Sequence, residues 1–215
     1  MARVSLRERW LAAVLLPLLA SAIVADAAAV QAPKAKARAV RPAAVSVSGR
    51  VEVEGAPTSA DAVVSLTAPG LKLQPRAEPL QVDQKGLRFL PHVVAVEAGT
   101  TVRFLNSDSE PHNVYSPEGR YNLGTWSTGD AKDHLFAKPG AYSQVCGLHP
   151  DMRAYVVVLD TPYFAVTDAA GRFAIPAVPP GRYTLVVWHE AKDGLERSVT
   201  VEAGRPLTLE LRIER

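Results

Sequence analysis

Hydrophobic and polar residues alternate along most of the chain beyond about residue 45, and a two-residue period is typical of half-buried β-strands. Gly, Pro and polar clusters interrupt the alternation at short intervals, as turns between strands do. The predicted strands lie at 45–55, 62–66, 93–98, 100–106, 141–146, 154–159, 183–188, 196–201 and 207–213. Residues 164–175 are predicted to form a hairpin around Gly171. The pattern therefore predicts an all-β protein.

The first residues have the composition of an export signal. Arg3, Arg7 and Arg9 precede an apolar run over 10–24, which small residues follow. This order predicts a Sec-type signal peptide over 1–27 and a periplasmic or secreted protein. The apolar run is shorter than the about 20 residues that a membrane span needs, so no stable span is expected. An uncleaved N-terminus that tethers the protein to the membrane is the alternative.

The next segment, 28–44, is rich in Ala, Pro and basic residues and lacks a useful periodicity, so it is predicted to be a flexible linker. Removal of 1–27 lowers Lys plus Arg from 24 to 21 and Asp plus Glu from 22 to 20. A net charge of about +1 remains, which argues against a nucleic-acid partner.

The strongest chemical signal is a Cys-x-x-His-x-x-Met motif formed by Cys146, His149 and Met152. Cys146 is the only cysteine, and Met152 is the only methionine besides the initiator. A single cysteine in an exported protein calls for an explanation, and ligation of a metal supplies one. A thiolate, a thioether and two imidazoles are the donor set of a blue-copper electron-transfer site.

The second imidazole is predicted to come from His112, one of five histidines. His112 follows a strand, Gly turn, strand and polar loop over 93–111 and begins another predicted strand. The other three are not predicted to bind metal. His92 is placed in a strand without a partner, His134 in an exposed loop, and His189 at the end of a strand.

Residues 80–160 resemble the cupredoxins, the plastocyanin and amicyanin group of small blue-copper proteins. The resemblance rests on Phe89-Leu90-Pro91, the run from Val96 to Asn106, Pro111-His112-Asn113-Val114, Pro139-Gly140-Ala141-Tyr142, and the Cys146, His149, Met152 motif. It implies a Greek-key β-sandwich that holds one type 1 copper ion.

The same resemblance implies a role for each residue of the site. His112, Cys146 and His149 correspond to equatorial copper ligands, and Met152 corresponds to the axial ligand. The Asn113 N–H is expected to point at the Cys146 sulfur while the Asn113 side chain braces the ligand loop. Hydrogen bonds of this kind tune the metal that such ligands hold.

The remaining strands resemble carboxypeptidase regulatory-like domains, which are seven-stranded sandwiches of transthyretin type. The matching pieces are Gly49-Arg50-Val51, Ala62–Leu66, Thr167-Asp168-x-x-Gly171-Arg172-Phe173 and Val178–Leu185. They lie on both sides of the cupredoxin stretch. The resemblance therefore implies that a cupredoxin domain, 71–160, is inserted into a sandwich made of 45–70 plus 161–215. The rival layout is a cupredoxin over 45–160 followed by a module of about 55 residues, a marginal size for an independent core.

Single-electron transfer between redox partners is the function that the resemblance implies. The combination of domains is similar to proteins of the methylamine-utilisation type. A redox protein such as a c-type cytochrome or a quinone-dependent dehydrogenase is expected to dock near His149, Leu148 and Pro150. The alternative is a periplasmic copper-binding or copper-handling protein without an electron-transfer duty. The sequence contains no recognisable catalytic constellation, so the protein is not expected to be an enzyme.

Overall fold

The structure is a computed structural model that describes residues 43–214, and every regular element in this range is a β-strand. No helix in this range is long and apolar enough to cross a membrane. The predicted signal peptide 1–27 and most of the predicted linker 28–44 lie outside the described residues. The prediction of an all-β fold is confirmed.

Seven strands near the two ends of the described range form a sandwich. They are β1 (Val45–Val53), β2 (Val63–Thr67), β12 (Phe164–Val166), β13 (Arg172–Val178), β14 (Gly181–His189), β15 (Lys192–Val201) and β16 (Leu207–Ile213). One sheet has the order β13-β1-β16 and the other has the order β12-β2-β14-β15. The first strand therefore pairs with strands from the C-terminal part of the chain.

Close contact between β1 and β16 requires a glycine at the centre of β1. These strands run parallel, and Gly49 lies opposite Leu209. A Cβ atom on Gly49 would lie 1.9 Å from the Leu209 carbonyl oxygen, so no larger residue fits. On either side of Gly49, Val47 and Val51 are fully buried, as the alternation along β1 predicts.

Nine strands between β2 and β12 form a second sandwich. They are β3 (Leu80–Gln84), β4 (Phe89–Leu90), β5 (Val93–Glu97), β6 (Thr100–Asn106), β7 (His112–Ser116), β8 (Tyr121–Trp126), β9 (Ala131–Phe136), β10 (Gly140–Val145) and β11 (Arg153–Leu159). Their sheets have the orders β5-β11-β10-β7-β8 and β4-β3-β6-β9. Val82 and Phe104 of the smaller sheet share one buried core with Val114 and Val156 of the larger sheet.

The chain leaves β2 and returns to β12 at nearly the same place. The Thr161 hydroxyl donates to the Leu66 carbonyl at 2.6 Å, and the Leu66 N–H donates to the Tyr163 carbonyl at 2.9 Å. In the strand that follows, Phe164 lies opposite Ser65. The nine strands are thus inserted between two neighbouring strands of one sheet. The predicted division into 45–70 plus 161–215 and 71–160 stays a prediction.

An apolar junction joins the two sandwiches. Val63 of β2 is buried in one cluster with Val93 of β5 and Val157 of β11. Beside this cluster, the ring of Tyr155 in β11 lies 5.2 Å from the ring of Trp188 in β14, measured between centroids. The contact is made by side chains of strands in both sandwiches and does not depend on the connecting segments alone.

The predicted hairpin over 164–175 is wrong. Strand β12 pairs with β2 in one sheet, whereas β13 pairs with β1 in the other. The intervening turn carries the chain between sheets, and the Asp168 carboxylate holds it by accepting the N–H groups of Ala170 and Arg172, each at 2.9 Å. A turn signal between two strands therefore did not distinguish a hairpin from a crossing between facing sheets.

Two expectations about histidines are also wrong. His134 lies in β9 and not in an exposed loop, and its ring stacks on Tyr121 with centroids 3.7 Å apart. Burial of this ring lowers the pKa of His134. His92 precedes β5, and its Nε2 lies 2.6 Å from a carboxylate oxygen of Glu190. Strand β9 is at a sheet edge, where charged side chains face water and obscure the alternation on which sequence prediction depends.

A chain in which a short linker joins residue 70 directly to residue 161 is expected to fold. The reason is that the buried core of the seven-stranded sandwich is made by its own strands. Circular dichroism should show β-structure and a cooperative thermal transition. The same deletion with Val47→Asp should lose that transition, because a charge would replace a fully buried side chain. An unfolded product without the Val47 change would contradict the predicted domain division.

Candidate metal centre

Three side chains with metal-binding atoms converge at one end of the inserted sandwich. The Nδ1 atoms of His112 and His149 lie 3.1 Å apart, and the Cys146 Sγ lies 3.7 Å from the His149 Nδ1. The ligand atoms of all three residues lie within 4.8 Å of one another. His112 and Cys146 are buried, whereas His149 is half-buried and reaches the surface.

These separations fit a small metal ion. A four-coordinate ion with bonds of about 2.0–2.3 Å to nitrogen and sulfur keeps its donor atoms about 3.3–3.7 Å apart. The two distances in the structure, 3.1 and 3.7 Å, are close to that range. Imidazole and thiolate donors suit copper and zinc, and a thioether adds a preference for copper because sulfur is a soft ligand.

Two strand ends and one short loop position the ligands. His112 is the first residue of β7, and Cys146 follows the last residue of β10. The chain then turns back tightly: the Met152 N–H donates to the His149 carbonyl at 3.0 Å, and the Cys146 N–H donates to the Met152 carbonyl at 3.3 Å. Met152 is 1% exposed and packs in the same buried cluster as Cys146. The loop thus returns the thioether side chain to the core beside the thiol.

Asn113 connects β7 to the ligand loop. Its N–H lies 3.4 Å from the Cys146 Sγ, and its side-chain oxygen accepts the Gly147 N–H at 3.1 Å. The amide nitrogen of the same side chain donates to Asn122 at 2.8 Å and to the Gly124 carbonyl at 3.0 Å. Asn113 therefore contacts the thiol sulfur and holds the next residue of the loop in place.

Asp108 is a residue of the site that the sequence analysis missed. One of its carboxylate oxygens lies 2.9 Å from the His112 Nε2, on the side of the ring opposite Nδ1. A proton on Nε2 leaves Nδ1 free to bind a metal, so this contact selects the tautomer that a ligand requires. The acidic residue four positions before His112 was the available signal, but a polar loop gives no indication of which side chain folds back.

The Asp108 carboxylate is itself held from a second segment. It accepts the N–H groups of Gly86 at 2.6 Å and of Leu87 at 2.9 Å. Desolvation acts to raise the pKa of Asp108, but these two N–H groups and the His112 ring outweigh it and hold that pKa below its ordinary value. The carboxylate is therefore ionised at neutral pH.

Buried Asn106 shapes the loop that carries Asp108. Its side-chain nitrogen donates to the carbonyls of Glu110 at 2.9 Å and Trp126 at 3.1 Å. Its side-chain oxygen accepts the Asp108 N–H at 2.9 Å. One amide group at the end of β6 thus fixes both the position of Asp108 and the entry of the chain into β7.

Exposed apolar side chains surround the ligand loop. Leu148 is 51% exposed and immediately precedes His149. Leu87, whose N–H binds Asp108, is 50% exposed. Leu90 is 45% exposed and lines a cleft together with Pro150. The residues on either side of the half-buried His149 in the chain are therefore exposed and apolar, whereas the neighbouring cleft also carries charged side chains.

Two family models match the chain, and their ranges overlap at residues 150–159. Residues 77–159 match the model of copper binding proteins of the plastocyanin/azurin family. Residues 150–214 match the carboxypeptidase regulatory-like domain. Both matches agree with the resemblances found in the sequence. The chain therefore contains one stretch similar to the plastocyanin/azurin copper-binding proteins and another similar to carboxypeptidase regulatory-like domains. The two sandwiches are called the cupredoxin domain and the carboxypeptidase regulatory-like domain below, after these similarities. Copper is the metal of the plastocyanin/azurin family.

Individual proteins are similar to the cupredoxin domain. Chloroplastic plastocyanin of Chlamydomonas reinhardtii is 29% identical over 116 residues, which cover 53% of this chain and 77% of that protein. A purple cupredoxin from Nitrosopumilus maritimus is 29% identical and covers 37% of this chain and 99% of its own, with a TM-score of 0.34. A copper-containing nitrite reductase from Thermus scotoductus is 26% identical and covers 44% of this chain and 25% of its own, with a TM-score of 0.37.

The variant Asp108→Asn should bind copper about tenfold to a hundredfold more weakly, the usual effect of removing a partner that orients a ligating imidazole. Its neutral amide would lack the negative charge that favours the required His112 tautomer. Competition against a chelator of known affinity measures the change. The matched control is Glu110→Gln, which removes an exposed carboxylate from the same loop and should bind as the wild type does. Equal affinities for the two variants would contradict the assignment.

Proposed function

We propose that the protein is a periplasmic type 1 (blue) copper protein that carries single electrons between redox partners. The observation that carries the proposal is the convergence of His112, Cys146 and His149 in a stretch that matches the plastocyanin/azurin family. Met152 is the fourth proposed ligand. When bound, copper supplies the Cu(I)/Cu(II) couple that stores one electron.

The hydrogen bonds that hold the ligand side chains in place favour electron transfer. His112 is held through Asp108, and the Asn113 N–H points at the Cys146 sulfur. Both ligands are buried and begin or follow strands of one sheet. Side chains held in this way change position little when the charge of a bound metal changes. A small structural change on gain or loss of an electron is what rapid transfer requires.

The exposed edge of His149 is the proposed point of electron entry and exit. It is the half-buried member of a group whose other two ligands are buried. Leu148 and Pro150 flank it and are both exposed. An apolar contact of this kind excludes water and brings a partner close to the ligand. The proposed partner is a redox protein such as a c-type cytochrome or a quinone-dependent dehydrogenase.

Burial of the ligands also bears on the alternative of copper handling. A protein that passes on copper must let an acceptor reach the metal and its ligands. Here the Cys146 side chain lies in the core with an exposure of only 3%. This arrangement favours retention of the metal over release.

We further propose that the protein is not an enzyme. Among residues 43–214, His112, Cys146 and His149 are the one group of His, Cys, Asp and Glu side chains placed to hold a metal ion. A second metal site for substrate reduction is therefore not formed by the described residues. The site offers an imidazole edge to a partner.

Addition of one equivalent of Cu(II) to the signal-free protein should produce an intense blue absorption band. The band arises from charge transfer between a thiolate and copper, so Cys146→Ser should lose it. An unchanged circular dichroism spectrum of the Ser variant is the control for folding. A wild-type protein that stays colourless, or a Ser variant that keeps the band, would contradict the proposed site.

Introduction of a negative charge beside His149 should slow electron exchange between two copies of the protein. In Leu148→Glu, like charges would face each other when two copies meet, and the expected effect is at least about tenfold at low salt. The rate is measured from NMR line widths in mixtures of the Cu(I) and Cu(II) forms. Leu135→Glu is the matched control, because Leu135 is 56% exposed but lies opposite Thr101, at the end of β6 away from Asn106. Equal rates for both variants would place electron entry elsewhere.

A further inference from the structure

His92 forms a bridge between the two domains. Its Nε2 lies 2.6 Å from a carboxylate oxygen of Glu190, which belongs to the carboxypeptidase regulatory-like sandwich. Its Nδ1 lies 3.1 Å from the carbonyl oxygen of Arg153 in the cupredoxin domain. Each ring nitrogen therefore faces an oxygen atom, one in each domain. One side chain thereby joins the second domain to the strand that follows the ligand loop.

The Glu190 carboxylate is presented by a tight turn. Strand β14 ends at His189 and β15 begins at Lys192, which leaves only Glu190 and Ala191 between them. His189 is buried, and its Nδ1 accepts the Ala191 N–H at 3.2 Å. A two-residue turn between paired strands allows little movement. The turn therefore restricts the backbone from which the Glu190 side chain reaches His92.

The other end of the bridge lies next to the proposed axial ligand. Arg153 directly follows Met152, whose carbonyl accepts the Cys146 N–H. The His92 backbone strengthens the attachment, because its carbonyl accepts the Tyr155 N–H at 2.9 Å. The side chain and the backbone of His92 thus hold the chain at two points within three residues of Met152.

The apolar junction between the domains keeps the two ends of this bridge together. Val63 of the sandwich is buried against Val93 and Val157 of the cupredoxin domain. This contact packs the sandwich that carries Glu190 against the strand β11 that follows the ligand loop. The cleft that His92 and Glu190 line also carries charged groups, but only Glu190 is in contact with the His92 ring nitrogen Nε2. The other charged residues of the cleft are Arg88, Asp151 and Arg153.

We propose that Glu190 and His92 are positioning residues for Met152. The carboxypeptidase regulatory-like domain would then be part of the machinery that sets the reduction potential, through the exit of the ligand loop. The inference rests on the proposed copper site, because the potential of such a site is tuned by its axial ligand. Loss of the bridge removes the His92 side chain from the backbone at Arg153, which stays paired with Val145 of β10. The loosened exit of the ligand loop weakens the contact of Met152 and raises the potential, since a weaker axial donor favours Cu(I).

The test compares Glu190→Gln with Glu202→Gln in the full signal-free chain. Glu202 makes an exposed ion pair with Arg205 at 3.3 Å within the sandwich, so its substitution removes the same charge without touching the bridge. His92→Phe keeps an aromatic ring beside Tyr155 and removes both side-chain hydrogen bonds. The midpoint potential of each copper-loaded variant and the hydrogen exchange of each metal-free variant are measured.

Glu190→Gln and His92→Phe should each raise the midpoint potential, as Met152→Leu is expected to do. A variant with both Glu190→Gln and His92→Phe should shift the potential no more than His92→Phe alone, because both changes break the same bridge. In the metal-free protein, the Met152 N–H should exchange about threefold faster in Glu190→Gln, as expected for a partly exposed ion pair. Glu202→Gln should change neither quantity.

Wild-type values for Glu190→Gln in both measurements would overturn the inference. A wild type without a blue band would count against the proposed function alone, and the exchange rates would then decide on the bridge.

Discussion

The approach of three donor atoms to within 4.8 Å is the constraint on which the rest of the cupredoxin domain depends. Two imidazole nitrogens and a thiol sulfur do not collect in a core spontaneously, because each loses hydrogen bonds to water when it is buried. The structure offsets that cost with specific partners. Asp108 binds the His112 ring, and the Asn113 N–H faces the Cys146 sulfur. Buried Asn106 in turn holds the loop that carries Asp108.

The cupredoxin domain that holds these donor atoms is attached to the other sandwich at several places. Both ends of the cupredoxin stretch are attached to neighbouring strands of the sandwich, β2 and β12, and not to a terminal linker. Buried valines and the Tyr155–Trp188 ring contact extend the attachment beyond the connecting segments. The proposed influence of the carboxypeptidase regulatory-like domain on the metal centre would act through this attachment and through the His92 bridge.

Sequence reasoning was most successful where the relevant interactions are local in the chain. The predicted strand 207–213 coincides with β16, and Cys146, His149 and Met152 were selected from a seven-residue motif. It failed where partners are distant or where edge strands face water. Strands β8 and β9 were not predicted, since their exposed polar residues obscure the alternation. The segment 164–175 was assigned to one sheet because the turn signal does not show which strand each half will pair with.

The sequence by itself determined the all-β class, the two family resemblances and the types of atom available to bind a metal, because these follow from composition and short-range spacing. Only the tertiary structure decided which polar groups support the ligands. Asp108 contacts His112 because a loop folds back, and Glu190 contacts His92 across 98 positions of sequence. Such contacts depend on how sheets pack and strands pair, and neither is encoded in any one segment. Three of the four proposed ligands, Cys146, His149 and Met152, are local in sequence, whereas His112 and the groups that support the ligands are brought to them by the fold.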